Sequence, residues 1–132
     1  RIADAARGRL TPAPVLHKLR GRAVLTTTLR AERPVAASMF GWGRVPLSGQ
    51  AKLSDVQLEV TTTAKSTGSL RLEPKGAGGM GAVSVDFPAG TARLTVLVPP
   101  GDLGHVTFTS TEQTSVRVRL IGYHTAAYIV ST

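Results

Sequence analysis

Short runs of alternating apolar and polar residues follow one another through residues 56–124, and a turn signal separates each run from the next. Side chains of a β-strand point alternately to the two faces of a sheet, so a period of two predicts strands with one buried face. Val56, Leu58 and Val60 form the clearest apolar row. Strands are predicted at residues 22–30, 52–64, 69–73, 82–87, 92–98, 104–110 and 114–122, with residues 123–130 as a last strand or a tail.

Short strands at regular spacing, without a convincing helix, predict an all-β fold. We expect an antiparallel β-sandwich of jelly-roll type, with a closed β-barrel as the alternative. The loops at residues 65–68 and 111–113 are interpreted as hairpin turns, and the glycine-rich loop at 75–81 as a flexible hairpin loop. Residues 1–21 are predicted to form an extended basic arm, because Pro12 and Pro14 exclude a regular helix. Residues 22–132 are predicted to form a single sandwich domain.

The chain has 132 residues, no cysteine and a net charge of +8. The basic charge is concentrated near the N-terminus, where residues 1–33 hold eight Lys or Arg against Asp4 and Glu32. Such a segment can attract nucleic acid, an anionic wall polymer or an acidic protein. No apolar stretch approaches the roughly 20 residues that span a bilayer, so no membrane span is predicted. The lack of cysteine excludes disulfides and thiolate metal sites.

The sequence contains little that indicates catalysis. The best pair of carboxylates for a carbohydrate-active hydrolase is Glu59 and Glu73, if they are cross-strand neighbours on an outer face. A solvated charge ladder on the sheet is the preferred interpretation of that pair. The histidines, His17, His105 and His124, do not have the spacing of a metal site, and no motif indicates a cofactor. We therefore predict a protein that is not an enzyme and binds neither metal nor cofactor.

The turns and strands of residues 45–124 resemble an all-β accessory domain of secreted actinobacterial proteins, often C-terminal to peptidoglycan amidases and other hydrolases. The matching segments are Val45-Pro46, Val56-Gln57-Leu58-Glu59-Val60-Thr61, Gly68-Ser69-Leu70-Arg71-Leu72-Glu73-Pro74, Phe87-Pro88-Ala89-Gly90, Val98-Pro99-Pro100-Gly101 and Thr114-Ser115-Val116-Arg117-Val118-Arg119-Leu120-Ile121-Gly122-Tyr123. The opening Arg1-Ile2-Ala3-Asp4 is similar to the start of that family, although Ala5 replaces its threonine. The resemblance implies a non-catalytic surface module and brings no catalytic residues.

These observations predict a non-catalytic structural or interaction module of a secreted, cell-surface or particle-associated protein. Its expected partners are other protein chains, copies of itself or a cell-wall polysaccharide. Nucleic acid is disfavoured, because neither interleaved aromatic residues nor a recognition helix accompanies the basic arm. The alternative is a virion or other particle structural or decoration subunit that assembles through the basic arm, and a carbohydrate-active hydrolase is the least favoured function. The candidate interaction residues are Arg1, Arg7, Arg9, Lys18, Arg20 and Arg22 of the arm, with Phe40 and Trp42 as an aromatic pair that suits a sugar ring or plugs the sandwich.

Overall fold

A computed structural model describes the backbone of residues 10–39 and 52–130, and the side chains of residues 15–39 and 55–125. Eight strands are assigned in this part of the chain, together with a short 3-10 turn at Asp102–Gly104. The strands are β1 (Leu10–Leu29), β2 (Val35–Ser38), β3 (Lys52–Ala64), β4 (Gly68–Pro74), β5 (Val83–Phe87), β6 (Gly90–Val98), β7 (His105–Ser110) and β8 (Thr114–Val130). The all-β prediction is confirmed.

The strands form two antiparallel sheets of four strands. The first sheet has the order β1–β8–β3–β6, and the second has the order β2–β7–β4–β5. Strand β1 pairs with β8, β2 with β7, β3 with β6, and β4 with β5. This nested pairing is that of one long hairpin, folded at the β4–β5 loop and then rolled into two layers. The fold is therefore a jelly-roll sandwich, and the two sheets do not close into a single barrel.

The core lies between the sheets and comes from the alternation seen in the sequence. On β3, Val56, Leu58 and Val60 are fully buried, while the residues between them face outwards. Phe108 on β7 is fully buried in the second sheet. Each apolar row covers the other, which removes apolar surface from water and stabilises the sandwich.

Two predicted hairpins are wrong. Strands β3 and β4, joined by residues 65–67, lie in different sheets, and so do β7 and β8, joined by residues 111–113. These short loops cross from one layer to the other, because rolling the long hairpin places consecutive strands in opposite sheets. By contrast, the glycine-rich segment after Pro74 does join a hydrogen-bonded hairpin, formed by β4 and β5.

The N-terminal arm is not separate from the domain over its described part. Strand β1 begins at Leu10, not at residue 22, and pairs with β8 from Leu10 onwards. Pro12 and Pro14 are compatible with this strand because β1 is at the edge of its sheet, where an outward-facing N–H needs no partner. Residues 1–9 of the predicted arm lie outside the described residues. The predicted last strand is confirmed as the continuation of β8, and β2 was not predicted.

Candidate interaction surface

Hydroxyl groups form a row across the outer face of the first sheet. Thr28 of β1 lies opposite Ser115 of β8, which lies opposite Thr63 of β3, which in turn lies opposite Thr91 of β6. All four side chains are exposed. Thr28 Oγ1 and Ser115 Oγ share a hydrogen bond of 3.2 Å, and Thr63 Oγ1 and Thr91 Oγ1 share one of 3.1 Å. The hydroxyls are thus held in pairs by strands whose opposite faces are buried.

Two arginines lie in the next row of the same face. The order across the sheet is Thr26, Arg117, Thr61 and Arg93, so that the arginines lie on either side of Thr61. Strands in a sheet are about 4.8 Å apart, which separates the two arginine backbones by roughly 10 Å. Both side chains are exposed, and neither makes a salt bridge with another described residue. The two positive charges are therefore directed to solvent.

We call these two rows the Thr/Arg face. Its members are Thr26, Thr28, Thr61, Thr63, Thr91, Arg93, Ser115 and Arg117.

A salt bridge borders the Thr/Arg face. Arg119 of β8 lies opposite Glu59 of β3, and its Nη1 donates to Glu59 Oε1 at 3.0 Å. On the other side of β8, strand β1 has a bulge that includes Gly21 at φ 77°. The guanidinium of Arg119 occupies the space that a Cβ at Gly21 would need. Glycine thus serves twice here, since it accepts the left-handed conformation and leaves room for the arginine.

The outer face of the second sheet has a different charge. Arg71 pairs with Glu73 of the same strand at 3.2 Å, and Asp86 of β5 accepts a 2.7 Å hydrogen bond from Ser69. Acidic residues therefore outnumber basic ones on this face. On the first sheet Lys18, Arg93, Arg117 and Arg119 outnumber Asp55 and Glu59. The sandwich thus has one basic side and one slightly acidic side.

Two histidines lie where β1 and β8 extend towards the ends of the chain. The ring of His17 stacks on Tyr123 with centroids 4.7 Å apart and planes at 12°, and its Nε2 lies 2.9 Å from Thr125 Oγ1. On the outer face, Nδ1 of His124 lies 2.6 Å from Asp55 Oδ1. These contacts join β1 and β3 to β8.

The third histidine, His105, is on β7 in the other sheet, so the three histidines do not converge. His105 is half-buried, and its Nδ1 is buried without a hydrogen-bond partner among the described residues. No group of three or more histidines, aspartates and glutamates within the described residues is placed to hold a metal ion.

Three of the predicted interaction residues lie on β1. Lys18 is opposite Gly122, Arg22 is opposite Leu120, and Arg20 falls in the bulge between them. All three are exposed. They belong to the edge of the first sheet, so the described part of the predicted basic arm is part of the sandwich. The other predicted residues, Arg1, Arg7, Arg9, Phe40 and Trp42, lie outside the described residues.

The carboxylate pair considered for hydrolysis is not formed. Glu59 is on the outer face of the first sheet and Glu73 is on the outer face of the second, with the core between them. Each carboxylate instead pairs with an arginine of its own sheet, Glu59 with Arg119 and Glu73 with Arg71. The predicted cross-strand pairing of the two glutamates is therefore wrong.

Sequence reasoning did not identify the Thr/Arg face. The threonine runs at 26–28 and 61–63 favour β-strand and do not by themselves indicate a binding surface. Arg93 and Arg117 are 24 positions apart in the chain, and their approach depends on the register of β6, β3 and β8. The signal in the sequence is a polar residue at the outward positions of three alternating runs, residues 61 and 63, 91 and 93, and 115 and 117.

Comparison with known protein families finds no family model that matches this chain, and comparison with curated proteins finds no match either. The part of the chain that the structure describes contains no helix that could span a membrane. The resemblance to the actinobacterial accessory domain stays a prediction.

Proposed function

We propose that this protein is a non-catalytic interaction module of a secreted, cell-surface or particle-associated protein. It binds a partner chain or a wall polymer through the Thr/Arg face. The observation that carries this proposal is the difference between the two outer faces of the sandwich. The outer face of the first sheet carries two exposed arginines among rows of hydroxyl groups across four strands, and the outer face of the second sheet carries a slight excess of acidic groups.

The construction of the Thr/Arg face supports a binding role. Its side chains extend from four hydrogen-bonded strands, and the buried rows beneath them, such as Val116 and Val118, hold those strands in place. A ligand therefore meets groups whose backbone is already ordered, which lowers the entropy that binding costs. Arginine is also among the residues enriched at protein interfaces, because its planar group forms several hydrogen bonds at once.

A bulky side chain in the centre of this face tests the proposal. Thr63→Trp covers neighbouring hydroxyls without changing the charge, and Thr107→Trp makes the same change on the outer face of the second sheet. We expect Thr63→Trp to lower the affinity of the protein for isolated cell walls, measured by co-sedimentation, or for other copies of the chain, by about tenfold. Thr107→Trp should leave both unchanged. Equal binding by both variants and the unmodified protein contradicts the proposal.

A second candidate function is that of a virion or other particle subunit. The jelly roll is a fold of viral capsid domains, and β1 and β6 leave the two edges of the first sheet available for pairing. Removal of residues 1–21 is not a clean test of assembly through the arm, because it would delete more than half of β1. Removal of residues 1–9 keeps β1 whole. Loss of assembly with unchanged unfolding supports this candidate, and assembly that survives the deletion counts against it.

A further inference from the structure

We propose that the Thr/Arg face binds a linear polyanion whose repeat units carry hydroxyl groups, with Arg93 and Arg117 each holding one anionic group. This inference rests on the proposed function and names the chemical class of its ligand. The two arginines lie on either side of Thr61, so the ligand crosses the strands of the first sheet.

The arginines determine the charge of the ligand. Arg93 and Arg117 are exposed and make no salt bridge with a described residue, while the nearest carboxylate in the described part of the face, that of Glu59, is already bonded to Arg119. A guanidinium presents a planar set of donors that matches the oxygens of a phosphate, sulfate or carboxylate group. The backbones of the two arginines are roughly 10 Å apart, so each guanidinium can hold a different anionic group of a chain that carries such groups at intervals.

The hydroxyl groups determine what lies between the anionic groups. The paired hydroxyls of Thr63 with Thr91 and of Thr28 with Ser115 border the row that holds the arginines. Each hydroxyl has one donor and two acceptor positions, so a pair that shares one hydrogen bond can still bind further partners. Hydroxyl groups of a sugar or polyol have the same combination of donor and acceptor, and they fit such a surface.

The charge of the whole sandwich directs a polyanion to this side. The outer face of the second sheet, where Glu73 and Asp86 lie with Arg71, is slightly acidic and attracts a polyanion less. Nucleic acid is the competing polyanion. Proteins that bind single strands commonly stack bases on aromatic side chains, and the Thr/Arg face contains none. We therefore infer a hydroxylated, non-nucleic polymer and make nucleic acid an outcome of the test.

Binding of the full chain to dextran sulfate tests this inference, with uncharged dextran and oligo(dT) as comparison ligands. The test variant is Arg93→Gln with Arg117→Gln, and the matched control is Arg33→Gln with Lys75→Gln, which removes two exposed charges from loops outside the face. We expect dextran sulfate to bind in a salt-dependent manner and dextran not to bind. The test variant should lose about tenfold in affinity and the control less than about twofold.

A second comparison tests the role of the hydroxyls. Thr61→Val with Thr63→Val keeps the shape of the side chains and removes two hydroxyls. We expect this variant to bind dextran sulfate about threefold less tightly. Its affinity for inorganic polyphosphate, which has no hydroxyl-bearing units, should be unchanged. An equal effect on both polymers overturns the assignment of hydroxylated units.

Three further results overturn the inference. The first is an equal loss of affinity for dextran sulfate in the test and control variants, which indicates attraction by net charge alone. The second is binding of oligo(dT) that is as tight as that of dextran sulfate and is lost in the test variant. The third is no binding of dextran sulfate at all. In each case, the binding of the Thr63→Trp variant to cell walls or to other copies of the chain tests the proposed function separately. If that variant still abolishes binding to walls or sibling chains, the face remains an interaction surface and only its ligand class is wrong.

Discussion

Arg119 and Glu59 face each other across strands β8 and β3 and form a 3.0 Å salt bridge at the border of the Thr/Arg face. The pair is partly exposed, with 37% of the arginine side chain and 20% of the glutamate side chain accessible. Solvent screens such a pair, so its main effect is on the local charge of the face and less on stability. Glu59 neutralises the arginine that lies nearest to Arg117 along β8.

Glu59→Gln is therefore expected to increase the affinity of the face for dextran sulfate. The change leaves Arg119 without its carboxylate and adds one available guanidinium, which we expect to raise affinity about threefold. The free energy of unfolding should fall by no more than about 1 kcal/mol. Titration calorimetry and urea unfolding measure the two effects.

The matched control is Glu73→Gln, which removes the same charge from the other sheet. It should alter dextran sulfate affinity much less than Glu59→Gln does. Equal gains from the two substitutions would show that only net charge matters.

Gly101 and Lys75 connect two loops at one end of the sandwich. Asp102 N donates to Lys75 O at 2.8 Å, and both Lys75 N and Gly101 N donate to His105 O. A Cβ at Gly101 would overlap the backbone of Lys75, which cannot move without breaking these bonds. Gly101→Ala should therefore lower the free energy of unfolding by about 2 to 3 kcal/mol, measured by urea unfolding.

Gly90→Ala is the control for this substitution. Gly90 has φ 92° and nothing near its missing Cβ, so alanine there adds backbone strain alone, about 1 kcal/mol. Gly101 has φ −95°, which any residue adopts, so the stability lost in Gly101→Ala must come from the overlap of the new Cβ with Lys75. A Gly101→Ala variant no less stable than Gly90→Ala would refute the close contact.

The alternation of residues predicts most of the strands but not their partners. Residues 52–64 were predicted as one strand, and β3 has those bounds, because a long amphipathic run with a buried valine row has a single stable placement. Strand β2 was not found, since it has four residues and follows Pro34 in a segment rich in proline and glycine. A run this short has too few alternations to be recognised.

Pairing depends on contacts between residues that are distant in the chain. Glu59 finds its partner Arg119 60 positions away, and Thr28 finds Ser115 87 positions away. Local propensities contain no information about these distances, so the interpretation of neighbouring strands as hairpins was wrong for β3–β4 and β7–β8. The Thr/Arg face could not be predicted for the same reason, since it exists only after four strands align.

His17 is expected to hold the N-terminal half of β1 against β8. His17→Ala removes both the stacking on Tyr123 and the hydrogen bond with Thr125, and we expect a loss of about 1 to 2 kcal/mol. Amide hydrogen exchange should become faster in β1 near Val15 and Leu19. His17→Phe restores the ring and should recover part of the loss.

Leu16→Ala is the control for the effect of His17. Leu16 is adjacent in β1, is 41% exposed and lies on the other face of the strand, so its truncation should cost less than about 0.5 kcal/mol. If His17→Ala has no larger effect than Leu16→Ala, the stacked pair does not hold the strand.

Removal of a buried hydroxyl should change the free energy of unfolding in opposite directions at Thr62 and Thr114. Thr62 is fully buried, and its Oγ1 has no hydrogen-bond partner among the described residues, whereas Thr114 Oγ1 donates to the Thr63 carbonyl at 3.2 Å. Valine has nearly the shape of threonine without the hydroxyl. Because an unsatisfied buried hydroxyl is costly, Thr62→Val should raise the free energy of unfolding by about 1 kcal/mol, and Thr114→Val should lower it by a similar amount. Urea unfolding of the two variants measures both, and destabilisation by Thr62→Val would mean that its hydroxyl has a partner after all.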